Sequence, residues 1–182
     1  MNGRKTCVIG LMALLATFLA TTAAAQDKGD VGVAISAPSA IGAIWHATDR
    51  LAIRPDFNFS LSETDGDNGA VPDISASSVG FGVSVLFYTH RWDDLRFYVS
   101  PRLSFGHGNT TISGFSSESD QSSWGLSGSI GGHYTLGGRF AVFAEAGVAY
   151  ASQESTNSLS SAVDRTTWTL GTRTAIGGII YF

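Results

Sequence analysis

Along most of this chain, bulky apolar residues alternate with small or polar residues at every second position. Between Leu51 and Leu61 the odd positions are apolar, while the even positions include Arg54 and Asp56. Alternation with a period of two is typical of a β-strand with two unlike faces, whereas a helical repeat has a period of 3.6. The same alternation recurs in residues 79–87, 95–105, 124–136, 140–150 and 168–182. The sequence therefore predicts an all-β protein in which six strands are clear.

The N-terminal stretch 29–47 decides how many strands there are. It contains "DVGVAISAPSAIGAIWHA", which reads either as one long strand or as a hairpin folded at Ala37-Pro38-Ser39. The hairpin brings the number to eight, an even number as in bacterial single-chain barrels, and places both termini and the short turns at one end. We therefore predict the hairpin, and with it an eight-stranded antiparallel up-and-down transmembrane β-barrel.

Three longer connections are predicted at the opposite end of the strands. Residues 62–75, 107–122 and 151–164 are rich in Ser, Asp, Asn and Gly, which is typical of solvated loops. Pro55 and Pro101 fall inside predicted strands, although proline cannot donate to a strand ladder. We expect a β-bulge at each of these two prolines.

The composition of the polar face indicates that it points inward. A secreted soluble sandwich or barrel also fits a period of two, but its water-facing side usually carries many Lys and Glu residues. Beyond residue 25 the only lysine here is Lys28, and the polar positions are mostly Gly, Ser, Ala and Thr. The bulky apolar face would then meet lipid. Aromatic residues near the two strand ends predict two interfacial girdles, Phe87, Phe97, Tyr134, Phe140 and Phe182 at one and Phe59, Phe105, Trp124, Tyr150 and Trp168 at the other.

Charged residues on the enclosed face need partners, because an isolated buried charge costs several kcal/mol. A short turn after Leu136 pairs Gly131 with Glu145 and places His133 on the diagonal. An eight-stranded barrel has room for side chains and not for a water-filled channel. We therefore expect a structural plug, with a gate or small-ion path as the alternative. The predicted interior polar network comprises Arg54, Asp56, Arg96, Arg102, His133, Glu145 and Arg173.

Residues 1–25 have the layout of a secretory signal peptide. Arg4 and Lys5 precede an apolar run that ends on Ala23-Ala24-Ala25, and the run is short for a membrane-spanning helix. A retained anchor helix is the alternative. Beyond residue 25, nine basic residues face fifteen acidic ones, so the net charge is −6 and nucleic acid is excluded as a partner. The only cysteine, Cys7, lies in the predicted signal, and residues 26–182 suit a single barrel domain.

The chain ends on Ile176, Ile180 and Phe182 at alternate positions, and in this the sequence resembles the small outer-membrane β-barrel family of OmpA-type, OmpX-type and opacity-like proteins. The resemblance implies that the last strand pairs with the first and is the signal read by the barrel-assembly machinery. It also implies a Gram-negative-type outer membrane, contact with lipid and lipopolysaccharide, and no cofactor. The implied role is non-enzymatic: envelope integrity, or adhesion to a host or surface ligand through the three loops. We expect no periplasmic domain after the barrel.

Two other chemistries have candidate residues at the loop end. Some barrels of this size modify lipid A, and His107 with Glu118 offers the residue types for that reaction without a diagnostic spacing. The acidic stretch "ETDGDNGAVPD" does not match an EF-hand, which leaves only loose divalent binding by Asp65, Asp67 and Asp73. We expect no enzyme and no metal site.

Overall fold

The computed structural model describes residues 28–38, 40–64, 72–112, 117–157 and 165–182. The strands in chain order are β1 (Val31–Ala37), β2 (Ala40–Thr48), β3 (Leu51–Thr64), β4 (Ile74–Trp92), β5 (Leu95–Ile112), β6 (Ser117–Thr135), β7 (Phe140–Asn157) and β8 (Arg165–Tyr181). Each strand pairs antiparallel with its neighbour in sequence, and β8 pairs with β1, so the sheet closes into a barrel. The predicted all-β fold, the strand number and the N-terminal hairpin are confirmed. The predicted signal peptide lies outside the described residues.

The two ends of the barrel differ in their connections. At one end, which we call the turn end, β2–β3, β4–β5 and β6–β7 are joined by short turns, and both the start of β1 and the end of β8 lie there. The opposite end, the loop end, carries the other four connections. β1 and β2 have 7 and 9 residues, whereas β4 to β7 have 18 or 19. The wall of the barrel is therefore low at the β1–β2 hairpin and high elsewhere.

The strands extend further into the predicted loops than the sequence indicated. β3 continues to Thr64 and β4 begins at Ile74, so the predicted loop 62–75 is strand at both of its ends. Likewise β5, β6 and β7 include residues 107–112, 117–122 and 151–157, which were predicted as loop. A strand with water on both faces needs no apolar alternation, so its polar composition is that of a loop. Continuous pairing with the neighbouring strands holds these segments in place.

The prediction of bulges at the prolines is wrong. Pro55 lies opposite Val83 and Pro101 opposite Gly128 in ladders of unbroken register. The irregularities lie near the turn end instead, between His46 and Thr48 and between Tyr88 and His90. Each strand residue directs its N–H to one neighbour only, so a proline removes a single ladder bond and the adjacent bonds keep the register.

The bulky apolar side chains point out of the barrel. Phe57, Phe81, Val99 and Leu126 keep between 44% and 52% of their surface exposed. Nine of the ten aromatic residues predicted for the two girdles are exposed on this outer face, from Phe87 and Phe140 near the turn end to Phe105 and Trp168 nearer the loop end, while Phe182 is half-buried. Within the described residues, no helix is long and apolar enough to cross a membrane. The orientation predicted from composition is confirmed.

Candidate functional site: the barrel interior

An aromatic–histidine cluster fills the turn end of the interior. It consists of His46, Tyr88, Tyr98, His133 and Tyr181, and each side chain is buried. The Tyr181 hydroxyl lies 3.1 Å from His46 Nε2 and 3.4 Å from His133 Nε2. The Tyr88 hydroxyl lies 3.2 Å from His133 Nδ1. Three tyrosine–histidine contacts thus link polar atoms inside a layer that is otherwise apolar.

The rings of this cluster stack across the barrel axis. His133 and Tyr181 are nearly parallel with centroids 6.1 Å apart, and His46 stacks on Tyr88 at 5.6 Å. Buried apolar side chains from four strands complete the layer: Ile44, Leu86, Phe143 and Ile179. Side chains therefore occupy the whole cross-section at this level, as expected for a barrel of this strand number.

Glu145 is the centre of a charged cluster in the layer above. Its carboxylate pairs with Arg54 from β3 and accepts a bond of 2.8 Å from Arg173 Nη1 of β8. Tyr98 donates its hydroxyl to the same carboxylate at 2.9 Å, which joins this layer to the aromatic–histidine cluster. The Glu145 side chain is completely buried. A buried carboxylate with three donors is well compensated, and removing it would leave two cations enclosed.

A second ion pair lies closer to the loop end. Arg102 of β5 makes a two-pronged pair with Asp56 of β3, in which Arg102 Nη2 lies 2.7 Å from Asp56 Oδ1. Arg102 Nη1 also approaches Ser84 at 3.5 Å. Arg96 belongs to the turn end, where its guanidinium lies 5.8 Å from the centre of the Tyr88 ring. The interior arginines of the predicted network thus reach different partners at different levels.

Glycine makes room for the largest interior side chains. A side chain at Gly82 would collide with the guanidinium of Arg102, and a Cβ at Gly131 would lie 2.5 Å from Cζ of Tyr98. Gly131 is paired with Glu145 across β6 and β7, which is the register that the turn length predicts. Small residues beside large polar ones are therefore a packing requirement of this interior.

Comparison with known proteins identifies solved structures that have a similar fold. No protein-family model and no curated protein matches the chain. Among solved structures, the chain is similar to a major outer membrane protein from Thermus thermophilus, with 13% identity and a TM-score of 0.53, over 84% of this chain and 98% of that one. The chain has the fold of a small outer-membrane β-barrel protein.

Two further solved barrels are similar at lower scores. The attachment invasion locus protein Ail of Yersinia pestis has 11% identity and a TM-score of 0.44, over 85% of this chain and 99% of that one. CarO of Acinetobacter baumannii has 10% identity and a TM-score of 0.40, over 85% of this chain and 98% of that one.

The barrel distributes the predicted network residues over three groups. Glu145 lies with Arg54 and Arg173, Asp56 lies with Arg102, and His133 and Arg96 lie in the turn-end layer. Four further members of the site were not predicted: His46, Tyr88, Tyr98 and Tyr181. The sequence does mark them, since each occupies an inward position of its strand, the first three within about five residues of a turn and Tyr181 next to the end of the chain.

The C-terminal residues of the barrel lie at the closure of the sheet. Ile176 and Ile180 are 64% and 49% exposed on the outer face. Phe182 donates its backbone N–H to the carbonyl of Val31 at 3.0 Å, so the last residue is bound to the first strand. The expected pairing of the final strand with the first is confirmed.

The loop end of the barrel interior is open and polar. A cavity of about 510 Å³ is lined by residues that include Asn58, Arg102, Gln121 and Ser123. His107, predicted to lie in a loop, is an exposed residue of strand β5. Asp65 and Asp67 of the acidic stretch lie outside the described residues, and among those described no group of three candidate metal ligands occurs.

Proposed function

We propose that this protein is a non-enzymatic integral barrel of the bacterial outer membrane that conducts no ions and acts by surface contact through its loop end. The observation that carries the proposal is the contrast between a lipid-compatible outer face and an interior filled at the turn end. Fold alone does not assign a role, so the proposal rests on these two surfaces.

The strand lengths support a part that spans the membrane and a part that projects from it. A transmembrane strand needs about 9–11 residues, whereas β4 to β7 have 18 or 19. The excess lies at the loop end, where residues 107–112, 117–123 and 151–157 are mostly Ser, Thr, Asn, Asp, Gln and Glu. We call this projecting part the polar rim. A rigid, polar β-surface above the membrane suits contact with other molecules.

Planar-bilayer recording tests the closed interior. Purified refolded protein should give no discrete conductance steps, because the His46, His133 and Tyr181 side chains are at most 1% exposed. A His133→Ala, Tyr181→Ala double variant removes two stacked rings and should give small steps, which shows that the assay detects an opening. Discrete steps from the unaltered protein would contradict the proposal and favour a narrow channel.

Cysteine labelling of intact cells tests the orientation. Glu63 at the loop end and Asp49 at the turn end are both exposed, and the sequence has no cysteine beyond Cys7. A membrane-impermeant maleimide should label Glu63→Cys in intact cells but label Asp49→Cys only after the outer membrane is permeabilised. Labelling of Asp49→Cys but not of Glu63→Cys in intact cells would contradict this orientation and place the turn end outside the cell.

Export and assembly are part of the same proposal. We expect cleavage before Gln26, recognition of the strand that ends in Ile176, Ile180 and Phe182 by the barrel-assembly machinery, and contact with lipid and lipopolysaccharide. Intact-mass measurement of the protein from the envelope should give a chain that begins at Gln26. Deletion of Phe182 should lower the amount of folded protein in the envelope, whereas the substitution Gln153→Ala at an exposed position of the polar rim should not.

Two measurements distinguish surface contact from two alternative roles, lipid A modification and envelope integrity. Mass spectra of lipid A from cells with and without the protein should be identical, and a changed acylation pattern would indicate an enzyme. Cells without the protein should keep their resistance to detergent. Loss of that resistance would favour a role in envelope integrity over surface contact.

A further inference from the structure

Among the residues that the structure describes, the low wall at the β1–β2 hairpin leaves a gap in the side of the barrel. Within the described residues, pairing of β1 with β8 ends at Ala37 opposite Ile176, and pairing of β2 with β3 ends at Ile41 opposite Phe57. Beyond these points β3 and β8 continue for several residues and each pairs on its other side only. We call the gap between them, above the hairpin, the notch.

The notch lies at the loop-side edge of the apolar band. On β3 the outward positions past the hairpin are Phe59 and Leu61, which are 63% and 78% exposed. On β8 the exposed Thr172 and Thr174 come directly above the hairpin, and Trp168 further along is paired with Ser152 of the polar rim. The side opening therefore lies at the base of the polar rim, at the level of the headgroups of the loop-side leaflet.

The uncharged sequence of the hairpin bend suits a position at the edge of the membrane. The sequence at its bend reads Ala37-Pro38-Ser39-Ala40 and carries no charge, in contrast to the acidic stretch between β3 and β4. Backbone that is not paired at membrane depth is tolerated only where it lines protein or a water-filled cavity. The one-sided edges of β3 and β8 therefore indicate that the notch communicates with the wet interior.

A cavity of about 190 Å³ lies directly behind the notch. Ser36, Pro38 and Thr174 line its rim, and Arg54 and Arg173 are among the residues deeper in its wall. Such a volume is below the roughly 300 Å³ at which sites for drug-sized ligands begin. It therefore suits the headgroup of a lipid and not the whole molecule.

The cavity wall holds an excess of positive charge and a buried donor that lacks an acceptor. Three arginines line it, Arg54, Arg102 and Arg173, whereas the interior carboxylates near them are Asp56 and Glu145. Arg54 is 4% exposed, and its Nη1 has no hydrogen-bond partner among the described residues. A buried guanidinium donor without an acceptor is costly, and a phosphate or carboxylate oxygen would satisfy it.

We propose that the notch is a lateral portal through which the anionic headgroup of a lipid in the loop-side leaflet enters the barrel and binds against Arg54 and Arg173. The headgroup oxygens accept hydrogen bonds from the two guanidinium groups. The acyl chain leaves through the notch and runs toward the turn end along the outer face of the β1–β2 hairpin, against Ile35 and Ile41, which are 59% and 56% exposed. This inference rests on the proposed membrane location and goes beyond it, because it assigns a ligand class to the interior.

Native mass spectrometry of the folded protein in detergent tests the portal, with three probes added separately. They are lysophosphatidylglycerol, which has an anionic headgroup and a chain, lysophosphatidylcholine, whose headgroup is zwitterionic, and inorganic phosphate, which has no chain. We expect one bound lysophosphatidylglycerol per barrel at least about tenfold more tightly than either of the other probes, since a charge-assisted pair and a buried chain each contribute.

Variants on one strand provide the matched comparison. Arg173→Gln should weaken lysophosphatidylglycerol binding at least about tenfold, whereas Arg165→Gln, an exposed arginine at the start of the same strand, should leave it unchanged. Ser36→Asp places a negative charge in the cavity without altering an ion pair, and it should weaken binding even if Arg173→Gln fails to fold. Heat-modified gel mobility identifies folded samples.

The outcomes separate the portal from the proposed function. Equal binding of lysophosphatidylcholine, or equal weakening by Arg165→Gln and Arg173→Gln, would overturn the headgroup site. Phosphate binding as tight as the lipid would indicate a free-anion site and would overturn the portal. Failure of a folded, non-conducting, correctly oriented barrel to bind the anionic lipid would remove the portal while leaving the proposed function intact.

Discussion

The turn-end and loop-end halves of this barrel share an outer face but differ inside. At the turn end, tyrosine and histidine rings fill the cross-section, and His46 and His133 are completely buried. At the loop end, the same strands carry glycine and serine around a cavity of about 510 Å³. The outward positions remain bulky and apolar from Phe87 near the turns to Phe105 further along.

This difference shows that the outward and inward faces of the strands are under separate physical constraints. In the proposed membrane location most outward positions would meet lipid, where a polar group is costly. The inward positions are constrained only by packing and by charge compensation, so one half can be closed while the other stays open. Glu145 lies at the boundary, because it accepts hydrogen bonds from Tyr98 below and from Arg173 above.

Removing the charge at this boundary should have the largest effect. Glu145→Gln leaves Arg54 and Arg173 enclosed without a counter-charge, and we expect a loss of about 3–5 kcal/mol in the free energy of unfolding. Urea unfolding followed by heat-modified gel mobility measures it. Glu154→Gln alters an exposed residue of the same strand and should change stability by less than about 0.5 kcal/mol. Equal stability of the two variants would show that the halves are not linked through Glu145.

Adding one methyl group to the closed half should have an intermediate effect. In Gly131→Ala the new Cβ would lie 2.5 Å from Tyr98 Cζ, so the ring must move, and overpacking of this kind costs about 1–3 kcal/mol. Gly128→Ala, three residues earlier on β6, meets nothing within 4 Å and should be close to neutral. The urea midpoints of the two variants give the comparison directly. A neutral Gly131→Ala would mean that the closed half is loosely packed.

Removing one hydroxyl from the closed half should have the smallest effect. Tyr181→Phe keeps the ring but removes the contacts with His46 and His133, which costs about 1–2 kcal/mol when both histidine nitrogens lose a partner. Tyr150→Phe, on the outer face of β7, is the control and should cost less. If both variants had the same urea midpoint, shape alone and not hydrogen bonding would hold the aromatic–histidine cluster together.

Much of the fold follows from local pattern. Alternation of apolar and polar residues identified the strands from Leu51 onward. The expectation of an even number of strands favoured the hairpin at Pro38, and the turn after Leu136 set Gly131 opposite Glu145. These features depend on neighbours in the sequence or in the sheet. The predicted loops were wrong where strands have water on both faces, since alternation then carries no information about pairing.

The interior contacts could not be predicted to the same degree. Arg54 on β3 reaches Glu145 on β7, and Tyr88 on β4 reaches His133 on β6. Such contacts cross the barrel, and they depend on the stagger and tilt of all the strands together. Sequence spacing constrains neither quantity. The alternation of the strands therefore predicts which charged residues face the interior, whereas their partners depend on how the sheet closes.

The direction of the apolar face is tested most directly by spin-label accessibility in lipid bilayers. Labels at Leu126→Cys on the outer face and at Ser123→Cys, which lines the loop-end cavity, form the pair to compare. We predict that the Leu126 label is accessible to oxygen and shielded from a water-soluble nickel reagent, and that the Ser123 label shows the reverse. A Leu126 label shielded from both reagents would place this face in a soluble core and contradict membrane insertion.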